Sequence, residues 1–108
     1  MLEKDAKIFV AGHHGLVGSA IWNNLLQRGY TNLTGRSHKE LDLLDGVAVK
    51  KFFDEEKPDA VVLAAAHVGG IMANLQYRAD FIYRNLQIQQ NVIGESFRHG
   101  VKKLLFLG

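Results

Sequence analysis

Apolar and polar positions along the chain follow two alternating rhythms. Short unbroken apolar runs predict strands covered on both faces, and stretches where apolar residues return every three or four positions predict amphipathic helices. The first run, KIFVAG at residues 7–12, predicts a strand closed by glycine. Leu16, Val17, Ala20, Ile21, Leu25 and Leu26 then recur at helical spacing up to Gly29, a residue suited to ending a helix. TNLT at 31–34 predicts a second strand and ELDL at 40–43 a brief third. Residues 46–57 read as a helix with Val47, Phe52 and Phe53 facing inward, stopped by Pro58. DAVVLAAA at 59–66 is the clearest strand signal. A long helix is predicted over 80–99, with Ile82, Leu86, Ile93 and Phe97 along one face and Gly100 at its end. KLLFLG at 103–108 predicts another buried strand.

Alternation of this kind demands right-handed crossovers, so the strands should run parallel with helices on both faces. The fold class expected is α/β: a doubly wound parallel sheet of about five strands, in one domain over residues 1–108. Composition adds exclusions. With 47% apolar and 22% charged residues, the chain has a globular make-up. Net charge is only +2 and the 13 basic residues are scattered, which argues for a solvated surface and against nucleic-acid binding. There is no cysteine, so disulfides and thiolate metal sites are excluded. The five histidines are scattered, apart from adjacent His13 and His14, and no carboxylate is spaced to complete a metal set. The N-terminal MLEKDAK carries no signal-type apolar stretch, and no segment approaches the ~18 apolar residues of a membrane span. A soluble, cytoplasmic protein without a membrane partner is the expectation.

The chemistry concentrates in FVAGHHGLVGSAI, residues 9–21. Gly12, Gly15 and Gly18 stand at spacing three between the first predicted strand and the first predicted helix. A glycine turn there exposes backbone amides at a helix N-terminus, a ready site for a pyrophosphate. A tight turn that binds nothing is the alternative, but the position directly after a buried strand favours a dinucleotide. Gly12 would make the turn, Gly15 would admit the phosphates, and Gly18 would let the helix pack close to the strand. An NAD site usually carries an acid about 20 residues beyond its glycines. Here Arg36, His38 and Lys39 crowd that region and the nearest acid, Glu40, falls past the strand end. Positive groups suit a 2′-phosphate, so NADP is expected over NAD, an ordinary solvated basic loop being the alternative. His14 is placed to reach the same phosphate. Asp42 is a candidate for the adenine amino group or, equally, a turn-stabilising residue. Ala64, Ala65 and Ala66 end the fourth predicted strand and are small enough for a cofactor to lie across. His67, just beyond, faces the nicotinamide side or simply caps the strand.

FVAGHHGLVGSAI, ELDLLD, EKPDAVVLAAAHVGGIMAN, YRADFIYRNLQIQQNVI and GVKKLLFLG together resemble the N-terminal part of the GDP-L-fucose synthase family, within the extended short-chain dehydrogenase/reductases. The resemblance runs over residues 7–108. It implies a Rossmann-type sheet, NADPH as cofactor, and epimerisation followed by reduction of GDP-4-keto-6-deoxy-D-mannose. It places Gly12, His13, His14, Gly15, Leu16, Val17 and Gly18 around the pyrophosphate. Residues 38–43, including Asp42 and Leu43, surround the adenosine end, and Leu107 and Gly108 begin a further cofactor-contacting stretch. It implies a homodimer in which the long helix from Asp80 takes part.

The chain departs from the family's pattern at several points. His14 stands where arginine is common, His67 where lysine is, and NLQYRADF where NNTYPADF is usual. LTGRS replaces LVLRT, with Gly35 inside a strand end. Histidine is only fractionally charged near neutrality, so His14 predicts NADPH binding that weakens between about pH 6 and 8. The family's carbonyl-polarising Ser/Thr, its Tyr-x-x-x-Lys pair and its epimerising Cys and His match positions beyond Gly108. Tyr30, Tyr77 and Tyr83 have no lysine four residues later, so no catalytic residue is expected here and the chain alone should be inactive. KLLFLG would then form an uncovered sheet edge that promotes association. Two other readings stay open: an inactive NADP-sensing or dimerising module, and a different nucleotide-sugar epimerase or dehydratase.

Overall fold

Strand β1 (Ile8–Ala11) is the first element of the computed structural model, which describes residues 2–64 and 75–106, the side chains of 75–82 excepted. Helix α1 (Leu16–Gln27), strand β2 (Leu33–Thr34), helix α2 (Gly46–Glu56), strand β3 (Ala60–Leu63), helix α3 (Leu75–Arg98) and strand β4 (Lys103–Phe106) follow. Every strand pairing is parallel, in the order β2-β1-β3-β4. Ile8 lies opposite both Leu33 and Ala60, and Leu63 lies opposite both Ala11 and Phe106.

That order dictates where the helices go. The chain steps from β1 to β2 in one direction, then crosses back over β1 to reach β3 and β4. Right-handed connections made in opposite directions place their helices on opposite faces of the sheet. The side chains follow suit. Ile8, Val10, Ala60 and Val62 meet Ile21, Trp22 and Leu25 of α1 on one face. Phe9, Ala11, Val61 and Leu63 meet Val49, Phe52 and Phe53 of α2 and Ile88 and Val92 of α3 on the other. Consecutive strand residues point to alternate faces, and both faces are covered, which is why these strands read as unbroken apolar runs. The Phe9 ring centres the larger cluster, 4.4 Å from Phe52 and edge-on to Phe53 at 6.0 Å.

Four strands form among the described residues where about five were expected. ELDL is a turn. Ser37 N–H donates to Glu40 Oε1 at 2.7 Å while Glu40 N–H donates back to Ser37 Oγ at 3.2 Å, a reciprocal cap that bends the backbone. Leu41 is buried in the core all the same. Val47 was expected inward but is 80% exposed, and Val49 takes its place. Helix α3 begins earlier than expected and turns a different face to the sheet. Leu86 and Phe97 are exposed and Ile93 is only partly buried, while Ile88, Val92, Glu95 and Ser96 are buried. The side chain of Ile82 lies outside the described residues. Among the described residues strand β4 is an edge strand of the sheet with Leu104, Leu105 and Phe106 exposed, so the apolar run does not mark burial here and the expected uncovered edge is present.

Candidate functional site

The chain reverses its winding direction at β1, and the crevice beyond the carboxyl ends of β1 and β3 is where open α/β sheets hold ligands. The glycine turn lies there. Gly12 follows the last residue of β1 with φ +88°, a conformation that favours glycine. Gly15 N–H closes the turn on the Gly12 carbonyl at 3.0 Å. Gly18 is glycine for a different reason. A Cβ there would sit 1.9 Å from Gly12 O and 2.7 Å from Gly12 C, so helix α1 could not approach the turn. Its close contact is thus with the turn itself rather than with the strand.

Gly15 is the exception. Its φ is −74°, open to any residue, and an added Cβ would meet only Gly12 O, at 3.4 Å. Among the described residues nothing demands a glycine there, and beyond its chain neighbours no other atom comes within 4 Å of that Cβ. Helix α1 opens beside it with no side-chain cap. Helix α2 shows the contrast: Asp45 accepts from the amides of Val47 and Ala48. Uncapped amides and the positive helix end together suit an anion. Leu16, 89% exposed, and Val17 flank that opening as apolar surface.

His13 turns back over the end of β2. Its ring packs against His14 at 3.9 Å and Trp22 at 5.2 Å, tilted 38° to each, and its Nδ1 is buried without a partner among the described residues. Burial, then the neighbouring His14, hold the His13 imidazole below its ordinary pKa, with Arg36 adding to this and Glu40 opposing it. Arg36 leads from β2 toward α2, its guanidinium 5.1 Å from the Phe52 ring centre and 3.3 Å from Glu56 Oε2. Glu56 also pairs with Lys7 at 2.6 Å, a bond that holds its carboxyl below the usual range.

His38 is exposed in the turn after β2. Asp42 accepts from its own loop, Leu44 N–H to Oδ1 at 3.0 Å, the turn-stabilising arrangement. The Leu43 carbonyl is tied to α3 through Asn91 Nδ2 at 2.8 Å, and Asn91 is itself held by Gln87. Ala64 extends the β1–β3 pairing by donating to Ala11 O at 2.9 Å. Ala65, Ala66, His67, Leu107 and Gly108 lie outside the described residues. The turn residues and Ala64 therefore gather around the carboxyl ends of β1 and β3, the Arg36 guanidinium turns from the end of β2 back toward Glu56 at the end of α2, and Asp42 and Leu43 lie on the loop leading to α2. Sequence reading missed the Arg36–Glu56 pair, the Asn91 tether and Trp22, since no local spacing announces a contact between separate elements. Among the described residues no three His, Asp or Glu side chains could hold a metal ion, and no helix is long and apolar enough to cross a membrane.

Comparison with known proteins agrees with this fold. The model of the NAD dependent epimerase/dehydratase family matches residues 8–108. The chain is 65% identical over 108 residues to a putative GDP-L-fucose synthase 2 of Arabidopsis thaliana, covering all of this chain and 33% of that protein. It is 54% identical over 102 residues to the GDP-L-fucose synthase of Escherichia coli K12, covering 94% of this chain and 32% of that one. A solved GDP-mannoheptose C4 reductase of Campylobacter jejuni with NADP bound superposes with a TM-score of 0.93 at 50% identity, covering 100% of this chain and 34% of that one. The chain spans about a third of the length of the curated relatives it matches.

Proposed function

The chain belongs to the NAD dependent epimerase/dehydratase family, and from that premise we propose that it forms the NADP(H)-binding part of a GDP-L-fucose synthase. The observation that carries the reading is Gly15. The fold requires glycine at residues 12 and 18 but leaves residue 15 free, and a phosphate lying against the backbone supplies the missing reason. The exposed apolar start of α1 and the uncapped amides beside it fit the same ligand.

In this reading the amides at the start of α1 bind the pyrophosphate. His14, Arg36 and His38 favour the 2′-phosphate, with Asp42 and Leu43 near the adenine. Ala64, with Ala65 and Ala66, gives a floor without bulk, and Leu107 and Gly108 continue the cofactor contact. When bound, NADPH supplies the hydride for the 4-keto group of the sugar. These residues hold and orient it. The 108 residues contain no cysteine and no tyrosine followed by lysine four positions on, so they supply binding rather than turnover. A homodimer and a cytoplasmic location complete the proposal; the exposed Tyr83, Leu86 and Phe97 along α3 support the first. The 50% identity to the GDP-mannoheptose reductase supports a second reading, in which the GDP-sugar is a heptose.

Thermal unfolding tests the cofactor. NADPH should raise the melting temperature of the chain more than NADH does at equal concentration, because only a ligand bound to the folded state stabilises it. No shift with either would overturn the reading.

A further inference from the structure

We propose that Gly35 is a positioning residue for this cofactor site, acting through the ring of His13 on His14; the inference rests on the NADP reading above. Strand β2 stops at Thr34, opposite Phe9, two residues before β1 ends at Ala11. The shorter strand leaves Gly35 beside the glycine turn, and the His13 ring lies over it. A Cβ at residue 35 would stand 2.6 Å from both Cγ and Nδ1 of His13 and 2.8 Å from Cδ2. Near-equal distances to three ring atoms mean that the methyl would be driven into the face of the ring. Gly35 has no positive φ that would call for glycine, so room for this ring is the reason on view.

The ring has little freedom to yield. His14 packs against it at 3.9 Å and Trp22 at 5.2 Å, each tilted 38° to it, and its Nδ1 is buried. Displacing it removes the support beneath His14, which is exposed at the mouth of the turn and assigned to the 2′-phosphate. Gly35 therefore sets the choice between phosphorylated and unphosphorylated ribose without having to touch the ligand. The loss falls on NADPH and spares NADH, which has no group at that point.

The test is a double-mutant cycle on the whole chain, with Gly35→Ala, His13→Ala and the pair, read by the dissociation constants of NADPH and NADH. Trp22, the single tryptophan, gives a second readout through its emission. Gly35→Ala should weaken NADPH by about tenfold, roughly the worth of one charge-assisted hydrogen bond, and change NADH less than about twofold. It should also shift Trp22 emission as the ring leaves. The pair should match His13→Ala alone, because the two changes act through one ring. Should Gly35→Ala fail to fold, the pair, freed of the clash, still has to show the NADPH-to-NADH ratio of His13→Ala. Equal losses for both cofactors, an unchanged ratio, or effects that add in the pair would overturn the inference while leaving the cofactor reading intact. A wild-type chain that binds neither dinucleotide overturns both.

Discussion

His99 Nε2 lies 2.7 Å from Asp54 Oδ1, and this contact joins the end of α3 to α2 at the far end of the domain from the glycine turn. The other ring nitrogen donates to the Glu95 carbonyl at 2.9 Å, so the geometry suits an imidazolium, which donates from both sides. The bond to Asp54, then that to Glu95, raises the His99 pKa above its ordinary value. Lys50, then His99, lower that of Asp54.

The pair makes stability depend on pH. A raised histidine contributes fully below its unfolded pKa, about 6.5, and the contribution is lost as pH rises through the folded value. A lowered carboxyl contributes above its unfolded range and is lost as pH falls through the folded one. Both act together in mildly acidic solution. The melting temperature should therefore fall from about pH 6 to 8, and His99→Gln should flatten that fall. Parallel curves for the two proteins would show that the pair is energetically silent.

The roles of Gly15 and Gly18 in the glycine turn separate by substitution. Gly18→Ala forces a methyl to within 1.9 Å of a backbone carbonyl and should destabilise the chain by about 3 kcal/mol or more. Gly15→Ala places its methyl at 3.4 Å and should leave stability within about 0.5 kcal/mol. Urea unfolding measures both.

Glu56 restrains the positive charge at the end of β2. It pairs with Lys7 at 2.6 Å and with Arg36 at 3.3 Å. Glu56→Gln should free Arg36 for a phosphate and tighten NADPH by about two- to threefold, while costing at most about 1 kcal/mol of stability. Weaker NADPH binding in this variant would place Arg36 in the site only as Glu56 holds it.

Strand β4 presents Leu104, Leu105 and Phe106 at the sheet edge, and unpaired apolar edges invite association. The chain should sediment as concentration-dependent oligomers at tens of micromolar, and Leu105→Lys should shift it toward monomer. A single monomer boundary for the wild type would contradict this.

Legibility in the sequence followed the range of each interaction. β1 and β3 stood out because burial on both faces leaves an unbroken apolar run. Phe52 and Phe53 marked the inner face of α2 correctly. In α3 the period grouped Leu86 with Phe97 but could not say which of two faces meets the sheet, and Ile88 and Val92 proved to be inside. ELDL carried strand-like alternation that the bonds between Ser37 and Glu40 overrode. The glycines announced a turn, yet only three-dimensional spacing distinguishes Gly18, which the fold needs, from Gly15, which it does not. The seat of His13 over Gly35 depends on where β2 stops against β1, and no local pattern encodes that register.

Isothermal titration of the wild-type chain and Gly15→Ala with NADPH and NADH tests the central claim most directly. The wild type should show one NADPH site per chain, tighter than NADH, and weakened by about tenfold or more in Gly15→Ala although the variant stays folded. Undiminished binding by Gly15→Ala, or a folded wild-type chain that takes up neither dinucleotide, would contradict it.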